Sequence, residues 1–279
     1  MSLIDFILNV AGVLMWFNWR ALPFDPLSKT TPATLTGTLR RAAPSRFRRW
    51  HLPVTILGLL LLRAVFYRQI GPAVEWTARL NLEVVTISFR SDYFERMLIF
   101  SLLSFTVALT VFFLWLLLLS LLQRPAVEAD ALQRLLRTQL GWVDTWPRGL
   151  KLFVPLLAGG LLWWLASSPL NHWAIMPPVS GLHRLEQALV IGAASYLTWK
   201  FLIVAILALH LINSYVYLGR HPFWHYLNNV ARTLLGPLRR LPLRLGKVDF
   251  APVLGIALVF FGARLLEIGL TRLYPRLPL

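Results

Sequence analysis

Residues 97–122 read MLIFSLLSFTVALTVFFLWLLLLSLL, without one charge. A helix of about 20 apolar residues crosses the hydrocarbon core of a bilayer. A short strand does not account for a run of that length, and a water-soluble core does not need one. The segment therefore predicts a membrane-spanning helix. Five further apolar segments accompany it, at residues 3–19, 52–70, 149–165, 188–217 and 251–270. The expected fold is an all-α membrane protein with about six transmembrane helices. The first and fourth segments are near the short limit for spanning. The fifth contains Lys200 and is long enough to begin outside the bilayer. Trp16, Trp19, Trp163, Trp164, Tyr215 and Tyr217 cluster near segment ends, as in an interfacial aromatic belt.

Composition agrees. Of the residues, 57% are hydrophobic and 14% charged, whereas a soluble domain is about a quarter charged. The net charge of +16 comes from basic residues in the loops between apolar blocks. That is what the positive-inside rule produces, so nucleic acid is not an expected partner. The absence of cysteine excludes disulfides, iron–sulfur clusters, thiolate zinc sites and thioether-attached haem. The first residues lack the basic n-region and small-residue cleavage site of a signal peptide and read as a retained helix.

The loops alternate in charge. Loops 20–51, 123–151 and 218–250 are basic, whereas 71–96 and 166–187 are near neutral. Basic loops belong in the cytoplasm, which places both termini outside. The chain also repeats itself. Residues 34–41 read TLTGTLRR and residues 233–240 read TLLGPLRR. In the same register Pro53-Val54 matches Pro252-Val253, Leu59 and Ala64 match Leu258 and Ala263, and Arg48 falls opposite Lys247. Both prolines are expected to start a helix. The repeat suggests three tandem helix–basic loop–helix units, at 1–72, 96–168 (degenerate) and 186–272. Adjacent units would enter the membrane in the same sense.

Within the third unit, Phe223, Leu227, Val230, Leu234 and Leu238 recur at helical spacing, as in an interfacial amphipathic helix. Arg239 and Arg240, with Arg40 and Arg41 in the first copy, could hold anionic lipid phosphates or a partner's acidic surface. Each basic residue near the surface is worth about 1 kcal/mol. The competing reading is that they only fix orientation. Asp249, just before Pro252, suits a helix cap or a latch to those arginines. A proton relay through it is weaker, because its counterpart in the first unit is Trp50.

Polar residues inside the apolar segments are the other candidates: Arg63, Lys200, His210, Asn213, Ser214, Arg264 and Glu267. Arg264 and Glu267 are three apart and can neutralise each other. Lys200 and Arg63 could snorkel. His210 and Ser214 share a helix face and could bond a neighbouring helix or line a substrate or ion path. His221 and His225 have the spacing of two metal ligands, but no carboxylate completes an HExxH arrangement. No catalytic nucleophile elbow, phosphate loop or dinucleotide fingerprint is present.

The run His210-x-x-x-Ser214-Tyr215, then Gly236-Pro237-Leu238-Arg239-Arg240-x-Pro242, then Gly246-Lys247-x-Asp249-Phe250-Ala251-Pro252, resembles the YggT family of small bacterial and plastid membrane proteins. In that family a helix ends near Arg-x-x-x-Ser-Trp, a Pro-x-Arg-Arg loop follows, and Gly-Gly-x-Asp-x-Ser-Pro enters the next helix. Two such units commonly occur in tandem. Here His210 replaces the arginine, Tyr215 the tryptophan, Lys247 the second glycine and Ala251 the serine. The resemblance implies a non-enzymatic scaffold or assembly factor of the bacterial inner membrane, without catalytic residue, metal or cofactor. The expected partners are the bilayer, anionic lipids, and other membrane proteins or further copies of the chain. The alternatives are an ion or solute conduit linked to osmotic tolerance, and a haem-handling cytochrome assembly factor acting through His210, His221 or His225.

Overall fold

A computed structural model describes residues 2–21, 47–122, 131–177, 179–216, 222–238, 244–245 and 248–277. Arg40, Arg41, Arg239, Arg240 and His221 lie outside the described residues. The described helices are α1 (Ser2–Ala21), α2 (Phe47–Ile70), α3 (Phe94–Leu122), α4 (Ala131–Leu140), α5 (Arg148–His172), α6 (Gly181–Ala194), α7 (Trp199–Tyr215), α8 (Pro222–Leu234) and α9 (Ala251–Leu273). Five stretches are long and apolar enough to cross a membrane: Trp50–Ile70, Phe94–Leu122, Arg148–His172, Gly181–Tyr215 and Ala251–Leu273. Leu62, Leu157, Leu161 and Phe261 on them are exposed. Side chains of this kind are unfavourable in water and at home in hydrocarbon. The chain is a multi-pass membrane protein.

Several expected boundaries move. The fourth apolar segment extends to a helix over Arg148–His172. The fifth begins at Gly181, where the Ser180 hydroxyl accepts the His183 N–H at 3.3 Å. That is an N-cap, which satisfies a donor the first helical turn leaves free. A 3₁₀ turn at Ser195–Thr198 separates α6 from α7. Pro53 does not start a helix: α2 begins at Phe47 and Pro53 lies inside it. Pro252, by contrast, is in the first turn of α9. The two prolines of the repeat thus differ in helix position.

Loop 71–96 holds structure that its charge balance did not suggest. Strands β1 (Thr77–Asn81) and β2 (Thr86–Arg90) pair as a hairpin, and both alternate exposed and buried. Ala78, Leu80, Ile87 and Phe89 take the buried face, the period-two pattern of a half-buried ladder. A smaller ladder joins β3 (Arg244–Leu245) to β4 (Val248–Asp249), with Arg244 opposite Asp249. It places the Asp249 backbone just ahead of α9.

The chain divides into two compact units, residues 1–79 with 88–109 and residues 80–87 with 110–279. In the first, α1 packs along α2, and Phe105 fills the core with Ile56 and Leu60. In the second, α5 and α6 form the most extensive helix pair, joined through small residues. A Cβ on Gly192 would run into the Leu156 carbonyl, and one on Gly160 would sit 3.1 Å from that of Ala188. Close backbone approach of this kind is how helices associate where no hydrophobic effect drives them together. The amphipathic α8 buries Tyr226, Leu227, Val230 and Ala231 against α3 and α7, and Leu136 of α4 joins the same core. The apolar stripe read from the sequence is the packed face of α8, although Phe223 at its start is exposed.

Candidate functional site

A dense polar cluster among the described residues lies in the first unit. Arg63 projects from α2, Asp5 and Asn9 from α1, and Ser104 from α3. Asp5 and Asn9 are four residues apart, so they share one face of α1. The Arg63 guanidinium donates from Nη2 to Asp5 Oδ1 at 2.6 Å and to Ser104 Oγ at 3.1 Å, and from Nη1 to Asn9 Oδ1 at 2.8 Å. Asn9 Nδ2 donates to Ser104 Oγ at 2.9 Å. One turn along α2, the Tyr67 hydroxyl donates to the same Asp5 oxygen.

Aromatic rings close the site. The guanidinium carbon lies 5.5 Å from the Tyr67 ring centroid and 5.2 Å from that of Phe100, within cation–π range. The Arg63 side chain is 0% exposed and that of Asp5 19%. An arginine at the centre of a membrane helix costs about 2.5–3.5 kcal/mol on insertion scales. Here the charge is met by a carboxylate, two neutral acceptors and two π faces, while Nε remains buried without a partner. The expectation that Arg63 snorkels is therefore corrected. It is seven residues from the end of α2, and an acid and an amide on α1 hold it inside.

The second unit uses the same chemistry in smaller pieces. Lys200 Nζ meets Glu83 Oε2 at 2.8 Å, so the turn between β1 and β2 supplies the counter-charge for a lysine on α7. Glu83 has φ 67°, a left-handed conformation uncommon outside glycine. Asn81 Oδ1 accepts the Glu83 N–H at 2.9 Å, and Leu82 N–H bonds the Val85 carbonyl at 2.9 Å. Nearby, Trp115 Nε1 donates to the Thr198 carbonyl and Trp199 Nε1 to that of Leu114, both at 3.0 Å. The two indoles thus cross-brace α3 and the 3₁₀ turn.

At the start of α5, Lys151 Nζ donates to Ser120 Oγ and to the Asp144 carbonyl, each at 2.7 Å. The Ser120 hydroxyl donates to Asp144 Oδ1 at 2.5 Å. A Ser–Lys contact can serve as a nucleophile and its base, but here the hydroxyl proton points at a carboxylate that also pairs with the lysine. The arrangement ties α3 to α5.

His210 Nδ1 lies 2.8 Å from Asn228 Oδ1, which links α7 to α8 as the hydrogen-bonding reading expected. Ser214, its helix-face neighbour, is exposed. Arg264 Nη1 and Glu267 Oε1 pair within α9 at 3.3 Å. His225 is exposed, and among the described residues no group of three His, Asp or Glu is placed to hold a metal.

Asp5, Asn9, Tyr67 and Ser104 were not singled out from sequence. A signal existed: an acid and an amide one turn apart in the apolar first half of α1. No protein-family model, curated protein or solved structure matches the chain.

Proposed function

We propose that the chain is a non-enzymatic scaffold or assembly factor of the bacterial cytoplasmic membrane, built from YggT-like units. One observation carries this reading: four cations of the apolar helices each meet a carboxylate of the same chain. Arg63 is held by Asp5, Lys200 by Glu83, Lys151 by Asp144 and Arg264 by Glu267. A conduit needs groups that bind a passing ion weakly and release it. Groups held by partners on other elements, as Arg63, Lys200 and Lys151 are, instead keep those elements in register, which is what a docking platform requires.

The test pairs two preparations of the full chain. Extraction in mild detergent, with mass spectrometry of what co-purifies, is expected to return a reproducible set of membrane proteins. Vesicles containing the purified protein are expected to be no more permeable to protons or potassium than protein-free vesicles. A saturable flux in those vesicles, from protein that purifies without companions, would overturn the proposal.

A further inference from the structure

Among the described residues, helix α9 is covered on one side only. Ala263 and Leu270 pack with Val190, Ala194 and Leu197, Ile256 joins the core around Leu207, and Gly255 lies under Leu207 and Leu235. The rest of the helix is open. Of its apolar stretch 11% is buried, against 28% to 39% in the other four spans. Along the open side Val253, Ala257, Phe260, Arg264, Glu267 and Thr271 follow at alternating spacings of four and three. That is the seam along which two helices pack in a left-handed pair. All are exposed except Glu267, which is partly so.

A charge sits in the middle of this seam. The Arg264 side chain is 68% exposed and that of Glu267 30%. Arg264 is nine residues before the end of α9, or about 13.5 Å along the axis. Ionisable residues in spanning helices almost always face protein or a water-filled cavity. The pair within α9 offsets the net charge but leaves most of the Arg264 side chain uncovered.

We propose that a second copy of the chain covers this seam, α9 against α9. Two copies inserted in the same sense bring these helices together parallel, about a two-fold axis along the membrane normal. In a parallel seam, a side chain at the Arg264 position enters a hole that includes the residue three further along the other helix. That residue is Glu267. Each Arg264 then meets Glu267 of the second copy, and symmetry makes both contacts at once. The stripe carries its own complement, which is why its occupant is another copy and not an unrelated helix. Failure of this proposal would leave the scaffold reading intact, since the internal pairs do not depend on it.

The chain has no cysteine, so a single introduced thiol reports without background. The full chain in native membranes, carrying Ala257→Cys, Phe260→Cys or Thr271→Cys, is oxidised and scored for covalent dimer. Leu258→Cys and Leu265→Cys, exposed off the seam, are the controls. Seam positions are expected to cross-link several-fold more than the controls. On the Phe260→Cys background, Arg264→Glu should abolish the dimer, and adding Glu267→Arg should restore it. Equal cross-linking at seam and control positions, or none at the seam, would overturn the proposal. So would a dimer indifferent to Arg264→Glu.

Discussion

Two ion pairs in this protein use the same chemistry in opposite settings. Arg63 and Asp5 come from different helices, with Arg63 fully enclosed, Asn9 and Ser104 as further acceptors and two rings against the guanidinium. Arg264 and Glu267 come from one turn of one helix, with Arg264 largely uncovered and Glu267 partly so. Burial decides what each can do. The first pair has no solvent to replace a lost partner, so it binds α1, α2 and α3 together or leaves a stranded charge. The second constrains no other element within the described residues, and an exposed pair contributes at most about 1 kcal/mol. One is a strut and the other a surface feature.

The sharpest way to break the contrast is to remove one cation from each pair. Arg63→Gln should destabilise the fold by about 3–5 kcal/mol, the usual cost of stranding a buried partner, read from reversible unfolding in mixed micelles. Arg264→Gln in detergent-dispersed monomer should stay within about 0.5 kcal/mol of the parent, as surface changes do. Equal losses would erase the distinction.

A second change probes a contact without charge. Gly192→Leu should cost at least about 1–3 kcal/mol through overpacking, because the new side chain meets the Leu156 backbone. The same measurement on Gly262→Leu, where a Cβ meets nothing within 4 Å, should show little change. The smallest effect belongs to Lys200→Met. Lys200 and Glu83 are both partly exposed, so the loss should be about 0.2–1 kcal/mol. Hydrogen exchange at the Leu82 amide, bonded to the Val85 carbonyl in the turn, should quicken a few-fold without global loosening.

Five of the six expected spans were legible because a long, nearly charge-free run has few other uses; the first, at residues 3–19 within α1, is not among the stretches long and apolar enough to cross. The Arg264–Glu267 pair was legible because residues three apart on a helix are always neighbours. The hairpin was missed although it was written plainly: Ala78 and Leu80, then Ile87 and Phe89, alternate with polar residues, in a loop weighed only for charge. The fate of Arg63 was not legible. Seven residues from a helix end it could reach the interface or fold inward, and only the arrival of Asp5 from another helix decides. The α8 stripe was legible because its period is local, whereas its packing against α3 and α7 depends on where those helices lie. The Arg239–Arg240 motif, which dominated the sequence reading, lies outside the described residues.

The claim that embedded charges act as internal struts rests most directly on Asp5 and Arg63. A double-mutant cycle of Asp5→Asn, Arg63→Gln and the combined variant, by unfolding free energy in one micelle system, measures their coupling. The account predicts a coupling of at least about 1 kcal/mol, with the double variant less damaged than the two single losses summed. Losses that add to within about 0.3–0.5 kcal/mol would mean that the two residues do not hold each other, and would contradict it.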